Sequence, residues 1–151
     1  MSRFERYGTR DLTYSNWHRQ FCPDRATMID VDGLEYCRRC RSPLALIETA
    51  QDVRQAFKPV AALEQLSLAA NVPAFCVLYI ADAGKCTPDG RGRCRKVGCA
   101  HGIAAFRVRR IRPNPTDFQE WTPKAFADYL TRVHDAHEEL VCQAVIGMDV
   151  V

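Results

Sequence analysis

The chain predicts an α/β domain built on a mixed sheet, and three observations in its first half carry that expectation. Two runs of β type, Thr27 to Tyr36 and Pro43 to Ala50, flank the polar hexapeptide Cys-Arg-Arg-Cys-Arg-Ser and read as an antiparallel hairpin. A helical stripe follows from Val60 to Ala70. The next run, Ala74 to Ala81, is apolar without alternation, as suits a strand covered on both faces. Strand, helix, buried strand is the order of a crossover unit, so the second hairpin strand and the buried strand are expected to run parallel.

Taken in order, residues 11–21 place Tyr14, Trp17 and Phe21 at intervals of three and four, the apolar face of a first helix that Pro23 ends. In the first hairpin strand Asp30 and Asp32 share a face, because strand side chains alternate with a period of two. Pro59 suits the first turn of the second helix, whose stripe is Val60, Leu63, Leu66 and Ala70; Asn71 and Pro73 end it. Residues 83–102 are dominated by Gly, Arg and Cys, and this insertion lacks the apolar content to fold by burial. Ala104 to Ile111 partly alternates apolar and basic residues, as a fourth strand with an exposed basic face would. At Trp121-Thr122-Pro123 a last helix opens: Thr122 caps it, Pro123 takes its first position and Trp121 staples onto Phe126. Tyr129, Leu130, Val133 and Leu140 are expected to continue its buried side.

With 151 residues, 47% of them hydrophobic, the chain suits a single domain over residues 1–151, with the Cys/Arg-rich insertion at 83–102. No apolar run approaches the roughly 20 residues of a membrane span, and the polar start MSRFERYGTR has no signal-peptide core. A cytoplasmic protein is expected, and in a reducing interior its eight cysteines favour metal ligation over disulfides. The net charge is only +3, but arginines cluster at 38, 39 and 41, at 91, 93 and 95 beside Lys96, and at 107, 109, 110 and 112. Arginine's fixed fork suits phosphate, so Arg91, Arg93, Arg95, Lys96, Arg107 and Arg109 are candidate nucleic-acid contacts; the plainer alternative is a solvated Arg-rich surface.

Cys86, Cys94, Cys99 and His101 supply four soft ligands within the insertion, and zinc suits them on two counts. Cys3His is a known structural site, and metal binding worth roughly 10–16 kcal/mol can replace hydrophobic burial as the source of order. Cys37 and Cys40 at the hairpin tip look like half of a second zinc site. Its remaining ligands stay open: Cys22 with another thiol, or members of the later cluster, although strand geometry would hold those about 20 Å away. Cys76 and Cys142 read as small core residues. His134 and His137, three apart on the last helix, could pair on a metal or remain solvated.

Asp32 and Glu48 should face one another across the hairpin with Asp30 nearby, a set that either binds a divalent cation or stays solvated at a wet sheet edge. A magnesium ion there could polarise a phosphodiester and acidify a bound water. On these residues the chain resembles the PD-(D/E)XK nuclease superfamily, the restriction-endonuclease-like fold, over roughly residues 11–112. The resemblance is carried by a helix, the Asp-bearing strand in MIDVDGLEY, PLALIETA ending at the Glu position, then helix, buried strand and a further strand. Trp17-His18-Arg19, IDVDGLEYCRRC and PLALIETA are, more narrowly, similar to small proteins carried by actinobacterial phages.

That resemblance implies a restriction-endonuclease-like mixed sheet flanked by helices, with Mg or Mn held by Asp32 and Glu48 and assisted by Asp30. Ala50 stands where the superfamily has its lysine, and alanine can neither carry charge nor hold water. Lys58, just before Pro59, is the nearby lysine that could supply the missing group, with Gln51 a weaker substitute. The implied activity is a metal-dependent DNA endonuclease. The rival expectation is a catalytically inactive, zinc-containing protein that binds DNA or a host protein. A homodimer is implied by the resemblance alone.

Overall fold

The computed structural model describes residues 13–23, 25, 30–54, 60–81 and 102–142. The chain divides into two compact units, Met1–Asp30 and Val31–Val151. In the first, helix α1 spans Thr13–Phe21. The expected aromatic face is there: the Tyr14 and Trp17 rings lie 5.7 Å apart and those of Trp17 and Phe21 6.2 Å apart.

The second unit is a five-stranded mixed sheet with helices. Its strands are β1 (Gly33–Tyr36), β2 (Pro43–Gln51), β3 (Ala74–Ala81), β4 (Ile103–Arg112) and β5 (Gln119–Trp121), ordered β1-β2-β3-β4-β5. β1 and β2 pair antiparallel, β2 and β3 parallel, and β3, β4 and β5 antiparallel in turn. Helix α2 (Ala61–Ala70) makes the crossover between the two parallel strands, as the sequence predicts. β5, only three residues long, was not expected; it pairs Trp121 with Phe106 and brings the chain to the start of helix α3 (Pro123–His137).

Alternation along the strands sorts the core onto the two faces of the sheet. Leu46, Ala74, Cys76, Leu78 and Ile111 pack with Leu63 and Val72 on the α2 face. Ala45, Ile47, Phe75, Val77 and Val108 pack with Phe126 on the α3 face. β3 supplies both, which is why its sequence is apolar at every position.

Two expectations for the helices are corrected. In α2 the buried positions are Leu63 and Ser67, while Leu66 is exposed. The Ser67 hydroxyl donates to the Val72 carbonyl and Arg112 donates to the Ser67 carbonyl, so a small polar residue lets α2 approach the sheet. In α3 the cap is as predicted: Thr122 Oγ1 accepts the Ala125 amide at 3.1 Å, with Pro123 in the first turn and Trp121 edge-on to Phe126 at 6.2 Å. The α-winding stops at His137, however, and Glu138–Cys142 is a π turn. Leu140 is consequently 78% exposed instead of buried.

Candidate metal centre

The hairpin tip is built by two backbone hydrogen bonds. Cys37 N–H donates to the Ser42 carbonyl at 2.9 Å, and Arg41 N–H to the Cys37 carbonyl at 2.8 Å. Arg41 closes the turn in the left-handed region, with φ 61°. Just beyond, the register slips: Glu35 pairs with Ala45 but Tyr36 with Pro43, so Leu44 is the extra residue of a bulge. The bulge turns Leu44 out of the alternation and onto Cys37, Cys142, Cys40 and Val133, a third small core between tip and helix.

From the other side, the end of α3 delivers two more ligands. At 3.6 residues per turn a side chain five positions on points about 140° away. The wider π winding of Glu138–Cys142 reduces that angle and brings Cys142 toward the side of His137. The outcome is a Cys3His set, Cys37, Cys40, His137 and Cys142, whose ligand atoms all lie within 4.8 Å of one another.

The donor chemistry and spacing fit zinc. In a tetrahedron with zinc–sulfur bonds of about 2.3 Å, the edge between two sulfurs is about 3.8 Å. Cys37 Sγ and Cys142 Sγ lie 3.7 Å apart. Cys40 Sγ and His137 Nε2, at 3.0 Å, hold the hydrogen-bond spacing of a thiol and an imidazole. Cys37 and Cys142 are buried and Cys40 half-buried, so water is largely kept from the ligands. Hydrogen bonding with the Ser42 side chain and backbone, and with His137, holds the Cys40 thiol down to about 6. Burial, together with its thiol neighbours, pushes the Cys142 thiol up to about 11. These four residues could hold a metal such as zinc.

A second tie runs alongside. His134, one turn before His137, meets Glu35, two residues before Cys37, with Nε2 and Oε2 2.9 Å apart. Leu34, Glu35, Tyr36, Arg38, His134 and Glu138 line a groove of about 420 Å³ there. His134 and His137 therefore do not pair with one another, and neither is merely solvated. Cys142 is buried as a core residue would be, yet its sulfur belongs to the ligand set, which corrects the reading of it as core alone. A signal for this was present: Cys37-x2-Cys40 needs two more soft ligands, and His137-x4-Cys142 offers them at a common spacing.

The acidic candidates sit at the opposite end of the hairpin. The β1–β2 ladder ends at Gly33 opposite Ile47, and one further step of that register would set Asp32 opposite Glu48. Asp32 turns its carboxylate onto Thr49, accepting the amide at 2.8 Å and the hydroxyl at 3.2 Å, and so stands in for a backbone acceptor at the ladder's end. Asp30, Asp32 and Glu48 are not part of a ligand set of three or more among the described residues. Ala50 packs against the α2-face core. Among the basic candidates, Arg107 is bound to Asp52 at 3.1 and 3.2 Å and lies 4.9 Å over the Phe118 ring, and Arg109 is half-buried on β4 opposite Cys76. The expected exposed basic face of β4 is thus partly spent on holding the sheet together. Lys58, Arg91, Arg93, Arg95 and Lys96, and the ligands Cys86, Cys94, Cys99 and His101, lie outside the described residues.

Among the described residues no helix is long and apolar enough to cross a membrane. Compared with family models, with curated proteins and with solved structures, the chain matches none.

Proposed function

We propose that this chain is a zinc-structured DNA-binding domain on a PD-(D/E)XK-like sheet whose cleavage site is not completed, acting inside the cell where thiols stay reduced. The observation that carries the reading is the convergence of Cys37, Cys40, His137 and Cys142 on a turn that also bears Arg38, Arg39 and Arg41. Four protein ligands close a zinc site to substrate, so the metal's chemistry there is structural: it fastens the hairpin tip to the end of α3. An antiparallel hairpin that feeds a parallel crossover strand, with Asp32 immediately before its first strand, supports the likeness to the nuclease sheet. Lost cleavage is supported by Asp32, engaged with Thr49, and by Ala50, an apolar residue where a water-orienting lysine would be needed.

A second reading, a Mg- or Mn-dependent endonuclease, is favoured by one feature, the register that would set Asp32 opposite Glu48. In that version the two carboxylates hold the cation, Asp30 assists and Lys58 positions the water. The test is to measure zinc in the isolated protein, then follow plasmid and single-stranded DNA with and without Mg²⁺ or Mn²⁺. About one zinc per chain with salt-sensitive binding and intact DNA supports the first reading; zinc at residues 86–101 would add a second. Cleavage abolished by Asp32→Ala and Glu48→Ala would establish the endonuclease instead. Absence of binding to either form of DNA at low salt would sink both.

A further inference from the structure

The turn that carries two of the metal ligands exposes three arginines in five residues. Arg38, Arg39 and Arg41 are all solvent-exposed, whereas Arg107 is committed to Asp52 and Arg112 to the Ser67 carbonyl. Their backbone is not a loose loop. The two hydrogen bonds across Cys37–Ser42 and the left-handed Arg41 define its path, and Cys37 is buried against Leu44 and Cys142. A guanidinium mounted on a fixed turn loses less freedom on binding than one on a mobile segment, so more of each contact is realised as affinity.

We infer that this turn grips the phosphodiester backbone of DNA through Arg38, Arg39 and Arg41, and that metal in the Cys37, Cys40, His137, Cys142 site sets how firmly it grips. The inference deepens the DNA-binding reading and rests on it. Zinc with three thiolates and a neutral imidazole carries one net negative charge, less than the three guanidinium charges around it, so the loaded tip stays cationic. Tip and α3 meet through Leu44, Val133 and the Glu35–His134 pair, and a metal on the four ligands adds a further tie whose removal loosens the arginines' mounting. Arg38 contributes least of the three, because it shares the groove wall with Glu35 and Glu138. Phosphate contacts of this kind fix position on the strand without reading sequence.

The experiment measures the salt dependence of binding to a labelled duplex and a labelled single strand. It compares the zinc-loaded full chain, the R38A/R39A/R41A variant, its all-lysine counterpart and Cys142→Ser. Each lost duplex contact lowers the slope of log K against log salt by about 0.9, so the triple alanine variant should lose up to about 2.7 and bind at least about tenfold more weakly at 0.15 M salt. The lysine counterpart should keep most of the slope, and zinc content and melting temperature of both arginine variants should match wild type. Cys142→Ser, and wild type stripped by a chelator, should move toward the alanine variant. An alanine variant with unchanged slope and affinity overturns the assignment while leaving wild-type DNA binding, and hence the broader reading, standing. Equal grip with and without zinc overturns the metal's part. Equally tight capture of an acidic peptide at the same salt overturns the choice of phosphodiester as partner.

Discussion

Asp52→Asn is expected to destabilise the sheet by about 2 kcal/mol at neutral pH. Asp52 lies just past β2, where its amide extends the β2–β3 ladder by donating to the Tyr79 carbonyl at 2.8 Å. Its side chain accepts the Arg54 amide at 2.8 Å and both oxygens meet Arg107, at 3.1 and 3.2 Å. The carboxylate is 6% exposed and the guanidinium 30%. Breaking an exposed pair costs about 0.5 kcal/mol and a fully buried one roughly 3–5 kcal/mol, and this half-covered pair falls between them. For a chain of this length that corresponds to a fall in melting temperature of roughly 4–8 °C.

The pH dependence has a definite sign. Burial pushes the Asp52 carboxyl up, but the Arg54 amide and the Arg107 guanidinium outweigh it, and the pKa lies below its ordinary 3.8. The pair's stabilisation is therefore present above the ordinary carboxylate value and is lost as pH falls through the lowered one. Thermal unfolding of wild type and Asp52→Asn at a series of pH values should show a gap at pH 7 that closes in acid. A variant that melts with wild type at pH 7 would refute the reasoning, as would a gap that persists undiminished once the wild-type Asp52 carboxyl is protonated.

Three further outcomes follow from packing, capping and ligation. Leu78→Ala, at a fully buried position on the α2 face of the sheet, should cost roughly 3–4 kcal/mol by chemical denaturation. Thr122→Ala removes the acceptor of the Ala125 amide and should cost about 1 kcal/mol, with Thr122→Ser largely restoring it. Cobalt(II) substituted for zinc should give the visible absorption of a tetrahedral thiolate site, and Cys37→Ser or His137→Asn should abolish or shift that band; an octahedral spectrum would reject the four ligands assigned.

Most of the sheet was legible because its signals are local, but β1 begins at Gly33 and not at Thr27, so Asp30 and Asp32, expected on one face of that strand, precede it: pairing ends where β2 turns to the parallel strand β3 as its only neighbour. β2 and β3 begin within a residue of where their apolar runs begin, and Pro123 and Thr122 announce α3 through the chemistry of its first turn. β5 left no signal, since its three residues become a strand only through pairing with β4. Leu66 and Leu140 point outward for reasons that periodicity does not contain. Ser67 takes a buried position of α2 because its hydroxyl finds a partner in the Val72 carbonyl just past the helix, and a change from α to π winding rotates everything after His137. The metal centre was half legible. The cysteine pair at 37 and 40 declared itself; the spacing of His137 and Cys142 is a common one for ligands, but they lie about a hundred residues away and converge through a π winding that the sequence does not announce. Arg107 shows the limit of reading charge as surface, because its partner Asp52 is 55 positions distant.

The placement of the four ligands also orders events in biosynthesis. Cys37 and Cys40 leave the ribosome first and His137 and Cys142 last, with the crossover and most of the sheet made between them. At about 5–20 residues per second, the early pair waits roughly 5–20 s for its complement. A cation held by all four ligands therefore has to wait for residue 142, and until then the tip offers only two of the four.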